Sequence, residues 1–177
     1  MGYLTKEEIL SWSHRYDSEE DLYNTGLEPS LHEKLNQSKE LSKQDLVEII
    51  KWKFQDKRRE ENLARIEPVE DSFIRKTTKE ALTKQDENTR IWTLQQIPGV
   101  GPSVASVILT FYDPKNYGVF DTHVWREMFE SEPEDLFIRS TYLRTFLDRL
   151  RQESKEHGLG ARVIEKAYFK KNKDENQ

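Results

Sequence analysis

The run from Leu94 to Leu109, Leu-Gln-Gln-Ile-Pro-Gly-Val-Gly-Pro-Ser-Val-Ala-Ser-Val-Ile-Leu, constrains the fold more than any other part of the chain. Asp86-Glu87-Asn88 precede it with residues suited to a helix start and its positive dipole end. Ile91, Leu94 and Ile97 then recur at helical spacing. Pro98 stops that helix, and Gly99 and Gly101 permit backbone angles closed to other residues. Pro102 takes the first position of a second helix, where its missing N–H costs nothing. Ala105 and Ser106 are small and let the two helices approach. The pattern predicts helix, tight turn, helix over about 86–97 and 102–112. It leaves backbone N–H groups at a helix start, a surface suited to phosphate.

The rest of the chain is helical in character. Only seven Gly and six Pro interrupt 177 residues rich in Glu, Lys, Leu and Arg. We expect an all-α, compact bundle of about eight helices, with an N-terminal lobe over 1–85 and the hairpin and C-terminal helices over 86–177, in one domain. Four Trp, seven Tyr and eight Phe supply the bulk of a core under a shell that is 34% charged. The absence of cysteine excludes disulfides, thiolate zinc sites and iron–sulfur clusters. A net charge of −5 argues against extended nucleic-acid binding but leaves room for a local basic face. Nothing resembles a signal peptide or a membrane span, so a cytoplasmic location is expected.

Along the chain, Thr5 and Glu8 have capping-box spacing, followed by Ile9, Leu10, Trp12 and Tyr16. Residues 17–30 read as a loop, because Asn24, Gly26 and Pro29 interrupt them, and a short helix is expected from Ser30 to Lys39. Ser42 to Asp45 open a helix whose buried face is Leu46, Val47, Ile49, Ile50 and Phe54. Pro68 marks the next helix start. A long amphipathic helix is expected over 141–156, with Leu143, Phe146, Leu147 and Leu150 inward, and a last one over about 160–171. Pro133 starts a short turn, and residues 170–177 are expected to fray.

The Ile-Pro-Gly-Val-Gly-Pro run followed by Ala-Ser resembles the helix–hairpin–helix of DNA-binding proteins. Tyr117-Gly118-Val119-Phe120-Asp121-Thr122-His123-Val124-Trp125-Arg126 is similar to the segment that follows it in the helix–hairpin–helix/Gly-Pro-Asp glycosylase superfamily, which includes endonuclease III. The likeness covers roughly residues 88–128 and implies a reduced glycosylase-like fold. It implies DNA as partner, contacted through Ile97, Gly99, Val100, Gly101 and Ser103, and no cofactor beyond a monovalent cation at the hairpin.

By the same resemblance Asp121 faces a flipped-out nucleotide and stabilises the positive charge of a breaking N-glycosidic bond, or orients a water. Asp121 is also suited to cap the helix that starts at Thr122. The slot that carries a nucleophilic Lys in bifunctional members holds Ser103, and Lys115 is out of register, so the usual lyase activity is not expected. The resemblance therefore implies a monofunctional glycosylase of base excision repair, or an inactive DNA- or protein-binding module on the same scaffold. His123 reads as a structural polar residue. Lys57, Arg58 and Arg59 follow a helix C-terminus and suit its dipole; the alternative is a phosphate-facing patch of Lys51, Lys53, Lys57 and Arg58 joined by Trp52. Trp52, Trp92 and Tyr112 are assigned to packing, with one of them a candidate wall of a base pocket.

Overall fold

The computed structural model describes residues 3–19, 22–133 and 139–176. Its elements are α-helical, with no strand among the described residues. They run α1 (Lys6–Glu19), α2 (Leu22–Ser38), α3 (Lys43–Lys53), α4 (Lys57–Ile66), α5 (Asp71–Thr83), α6 (Glu87–Leu94), α7 (Pro102–Tyr112) and α8 (Thr122–Phe129). Then α9 (Arg139–Thr141), a π-helical piece (Tyr142–Leu147) and α10 (Asp148–His157) follow one another without a break, and α11 (Ala161–Glu175) closes the chain. No helix among the described residues is long and apolar enough to cross a membrane.

The helix starts follow local chemistry. Thr5 Oγ1 accepts from the Glu8 N–H at 3.3 Å while Glu8 accepts from the Thr5 N–H at 2.8 Å. Ser42 and Asp45 form the same reciprocal box at α3, and Asp86 accepts from the Thr89 N–H at 2.7 Å. The apolar α7, with Val104, Val107, Ile108, Leu109 and Phe111 buried, is the central helix. α2, α3 and α6 pack on it, while α11 packs on α1 and α8. Two kinds of helix thus meet: one apolar all round, the others with a single inward stripe.

Four sequence expectations are corrected. The loop expected over 17–30 is helical on both sides of residues 20–21, since α1 runs to Glu19 and α2 starts at Leu22. Pro29 sits inside α2 and forgoes one helical hydrogen bond. Long-range contacts offset that cost: Glu28 accepts from Arg162 Nε at 2.9 Å and Nη2 at 2.8 Å, while Leu31 and Leu35 are buried. After Pro68 the helix begins only at Asp71.

The helix expected over 141–156 widens to π geometry at Tyr142–Leu147, which turns Tyr142 inward with Phe146 and Leu147 and leaves Leu143 half-buried. The C-terminus is helical to Glu175, because Asn172 is buried against His123 and Glu127. The turn expected at Pro133 runs into residues outside the described ones.

Candidate functional site

The hairpin forms as its residues dictate. α6 ends at Leu94, four residues before Pro98, as Gln96 and Ile97 N–H groups turn back to the Thr93 and Leu94 carbonyls at 3.1 Å. Gly99 adopts φ of 84°, a left-handed angle that favours glycine. A Cβ there would stand 3.1 Å from both the Asn62 carbonyl oxygen and Ile66 Cγ1. The turn is therefore pressed on the end of α4, with Arg65 beside it. Gly101 has open space around it, and Pro102 opens α7. Ile97 and Val100 are buried, so their side chains belong to the core, and the Val100 N–H closes the turn on the Ile97 carbonyl at 3.0 Å. The first-turn amides of Ser103 and Val104 have no preceding helical carbonyl to bond.

Ser103 links this turn to the carboxylate. Its Oγ donates to the Phe120 carbonyl at 3.1 Å, and Ser106 Oγ, one turn along α7, accepts from the Phe120 N–H at 2.8 Å. Phe120 is fully buried against Tyr142 and Phe146. The segment 117–120 is thus clamped between α7 and α11: a Cβ on Gly118 would stand 2.5 Å from Leu150 Cδ1 and 3.1 Å from Glu165 Cβ. Asp121 follows directly on this packed segment.

Asp121 caps α8, with Oδ1 accepting from the His123 N–H at 2.8 Å. Its other oxygen, Oδ2, accepts from Lys53 Nζ at 2.6 Å. The Lys53 side chain is 6% exposed and that of Asp121 19%. The cap role weighed for Asp121 is present, and the same carboxylate lines a cavity. Burial pushes its carboxyl up, but the Lys53 charge and hydrogen bond, aided by the His123 N–H, outweigh it and hold Asp121 below the ordinary carboxylate range. Arg58 and Arg126 also lie within electrostatic reach of Asp121, each paired with its own acid, Asp56 and Glu132.

The pair opens on a cavity of about 440 Å³ that Trp52, Gln55, Arg162 and Glu165 also line, with Tyr16 and Phe169 as further aromatic wall. Trp52 stacks edge-on against Phe111 at 5.2 Å, and its buried Nε1 has no hydrogen-bond partner among the described residues. Of the three aromatics weighed as pocket walls, Trp52 is the one in this cavity; Trp92 is 52% exposed, which corrects its assignment to packing.

In the same cavity lining, buried Arg162 donates to Glu28 and to Glu165, and Glu165 accepts from the Val119 N–H at 3.2 Å. Burial dominates Glu165 and holds its carboxyl above the ordinary value despite Arg162. His123 Nδ1 lies 3.0 Å from Asn172 Oδ1, a structural contact.

The sequence reading missed Lys53 as an individual. It stood in a run with Lys51, Lys57 and Arg58, and the structure separates them: Lys51 pairs with Glu48, Arg58 with Asp56, and only Lys53 turns into the cavity. Its position at the last turn of an amphipathic helix, next to Trp52, was the available signal, but nothing in the sequence related it to Asp121, 68 residues on. Among the described residues no group of three or more His, Asp or Glu is placed to hold a metal ion. No family model, no curated protein and no solved structure matches this chain.

Proposed function

We propose that the protein binds a DNA strand through the hairpin and excises a base at Asp121, as a monofunctional N-glycosylase. The observation that carries this reading is the junction at Ser103–Phe120. It ties the start of α7 to the residue that precedes a cavity-lining carboxylate, which supports a reading in which that helix start holds phosphate while Asp121 acts. A sugar turned into the cavity would meet Asp121 as its glycosidic bond lengthens, and the carboxylate would stabilise the oxocarbenium charge. A cavity of this size has room for a base, and Trp52 is one of its aromatic lining residues.

The hairpin amides of Gly99, Gly101 and Ser103 would position the backbone without reading sequence, and Arg65, exposed beside Gly99, adds a cation there. A monovalent cation between hairpin and phosphate is compatible with the residues present. The Ile97 and Gly101 carbonyls each accept one main-chain N–H and keep a second lone pair. Such an ion would supply charge for holding phosphate and no part of the excision step.

The test is excision from duplexes that carry uracil, hypoxanthine, an alkylated purine or oxidised guanine, read as strand breaks after alkali. Breaks with the wild type that disappear in Asp121→Asn support the reading; no break on any duplex refutes the enzyme. One observation favours a second reading, a binding module without activity: both Asp121 oxygens already have partners, so the carboxylate is also accounted for as a structural joint. Binding that is lost on Gly101→Val with no excision anywhere would support that module.

A further inference from the structure

Resting on the reading that the hairpin holds a DNA strand, we infer that α4 is the track for that strand. Arg65 grips one phosphate beside the hairpin, and Arg58 grips another at the rim of the Asp121 cavity. The spacing between them then sets which nucleotide reaches the carboxylate. The observations meet in α4 itself. The hairpin rests on its C-terminal end, since a Cβ on Gly99 would stand 3.1 Å from the Asn62 carbonyl oxygen and 3.4 Å from Arg65 Cβ. Its N-terminal end is at the cavity: Lys53 and Gln55 line that cavity, Asp56 caps the helix, and Arg58 lies within electrostatic reach of Asp121. Arg59 ties this end to the last turn of α3, with Nε donating to the Phe54 carbonyl at 2.6 Å and Nη2 to the Lys51 carbonyl at 3.0 Å. α4 therefore spans the interval between the two parts of the proposed site.

Arg58, Asn62 and Arg65 follow one another at i, i+4 and i+7 and share one flank of α4. Ile66 is buried and Leu63 packs on the core, while Glu60 and Glu67 fall on the side away from the arginines and Glu61 on their outer edge. Between the two arginines Asn62 folds back on its own helix, Nδ2 donating to the Arg58 carbonyl at 2.7 Å. Both arginines are exposed. Arg65 has no ion pair among the described residues, and Arg58 pairs with Asp56 at 2.8 Å while lying 5.2 Å over the Phe54 ring. An exposed pair of that kind is weak, so a phosphate can take the free edge of the guanidinium or displace the acid. Seven residues of helix separate the arginines by about 10.5 Å. One DNA strand carries a phosphate about every 3.4 Å of axial rise, so the two match phosphates about three steps apart.

The experiment uses the full chain and a duplex with one tetrahydrofuran abasic analogue, which has no base to excise, so that binding is read apart from chemistry. Fluorescence anisotropy gives the affinity over a range of salt. Arg58→Gln and Arg65→Gln should each bind more weakly and lower the salt slope by about 0.9, one phosphate contact apiece. Lys155→Gln, on α10 packed against α11, should leave the slope unchanged. Unchanged circular dichroism melts show that the variants are folded. A single methylphosphonate is then moved along the strand. The wild type should lose affinity at two linkages about three steps apart, with Arg65→Gln indifferent to one and Arg58→Gln to the other.

Slopes that stay unchanged in both arginine variants, an equal fall in Lys155→Gln, or sensitive linkages that neither variant silences overturn the inference. If the wild type still excises a damaged base in that case, the excision reading stands. A wild type that binds through both arginines yet breaks no damaged duplex overturns excision and keeps the track on a binding module. A wild type that binds no duplex even at low salt overturns both.

Discussion

Asp121 and Glu165 face one cavity, and each is held by a cation, yet the two are built differently. Asp121 has one cationic contact, Lys53, and keeps 19% of its side chain exposed. Glu165 is 2% exposed and shares Arg162 with a second acid, Glu28. Burial is the largest influence on all three carboxyls. Lys53 overcomes it at Asp121 and Arg162 overcomes it at Glu28, so both lie below the ordinary range, whereas Glu165 is left above it. The difference teaches where chemistry and architecture divide. A carboxylate that keeps its charge and some access to the cavity can serve a reaction. One sealed between α11 and the 117–120 segment joins elements: it bonds the Val119 N–H, while Arg162 ties α11 to α2 through Glu28.

The comparison breaks most sharply at Arg162. Arg162→Met would leave Glu28 and Glu165 buried without their shared cation, and it would also remove the guanidinium that lies 5.3 Å over Tyr16 and 5.5 Å over Trp52. A loss of about 3–5 kcal/mol in unfolding free energy is expected, as for other broken buried ion pairs. Urea denaturation followed by circular dichroism measures it. A loss under about 1 kcal/mol would remove the architectural role assigned to the cluster.

At the other wall the larger effect should fall on activity. Asparagine is itself a good helix cap, so Asp121→Asn keeps an acceptor for the His123 N–H while removing the charge that Lys53 faces. Excision should fall by at least about a hundredfold, within the range of a lost general acid–base group. Stability should fall by about 2–3 kcal/mol, because the withdrawn Lys53 ammonium loses its counter-charge while asparagine still offers an uncharged carbonyl. Equal and large losses in both would make Asp121 a joint like Glu165.

The hairpin offers a smaller, purely conformational test. Gly99→Ala forces a Cβ to 3.1 Å from Asn62 and Ile66 at a φ of 84°, whereas Gly101→Ala points into open space at an ordinary φ of −86°. The first should cost about 1–2 kcal/mol and the second well under that. Thermal melts of the two variants, side by side, separate a turn that must pack on α4 from one that is only a connection.

What could be read in advance follows the reach of each interaction. The all-α class, the caps at Thr5, Ser42 and Asp86, and the Gly99–Pro102 turn rest on residues within four positions of each other, and local chemistry decides them. The helical course of 22–30 was not legible, because Glu28 is anchored by Arg162, 134 residues away, and Pro29 alone argues for a break. The helical end of the chain was hidden for the same reason, since Asn172 is fixed by His123 and Glu127. At the site, Asp121 stood out through the segment around it, and its cap geometry is local. Lys53 and Trp52 did not, because the cavity is made where the end of α3 meets the start of α8 and the flank of α11.

The smallest expected effect is the response of stability to pH, and it sharpens the contrast because the two carboxyls act with opposite sign. Asp121 binds its proton less readily when folded than when unfolded, since Lys53 outweighs burial. Its contribution is therefore complete above the unfolded carboxylate value and is lost as pH falls through the lower folded value. Glu28, also depressed, loses its share over the same acidic side. Glu165 is the reverse. Its folded carboxyl holds the proton more tightly, so its contribution is complete below the unfolded value and is lost as pH rises through the raised one. Glu165→Gln mimics the protonated form and should hold stability on the high side of that window where the wild type declines. Asp121→Asn should instead flatten the acid limb. Each difference should be small beside the loss expected for Arg162→Met. Unfolding free energies of the three proteins from pH 3 to pH 8 would show it as curves that diverge at opposite ends; divergence at the same end would mean that the cavity holds two carboxylates of one kind.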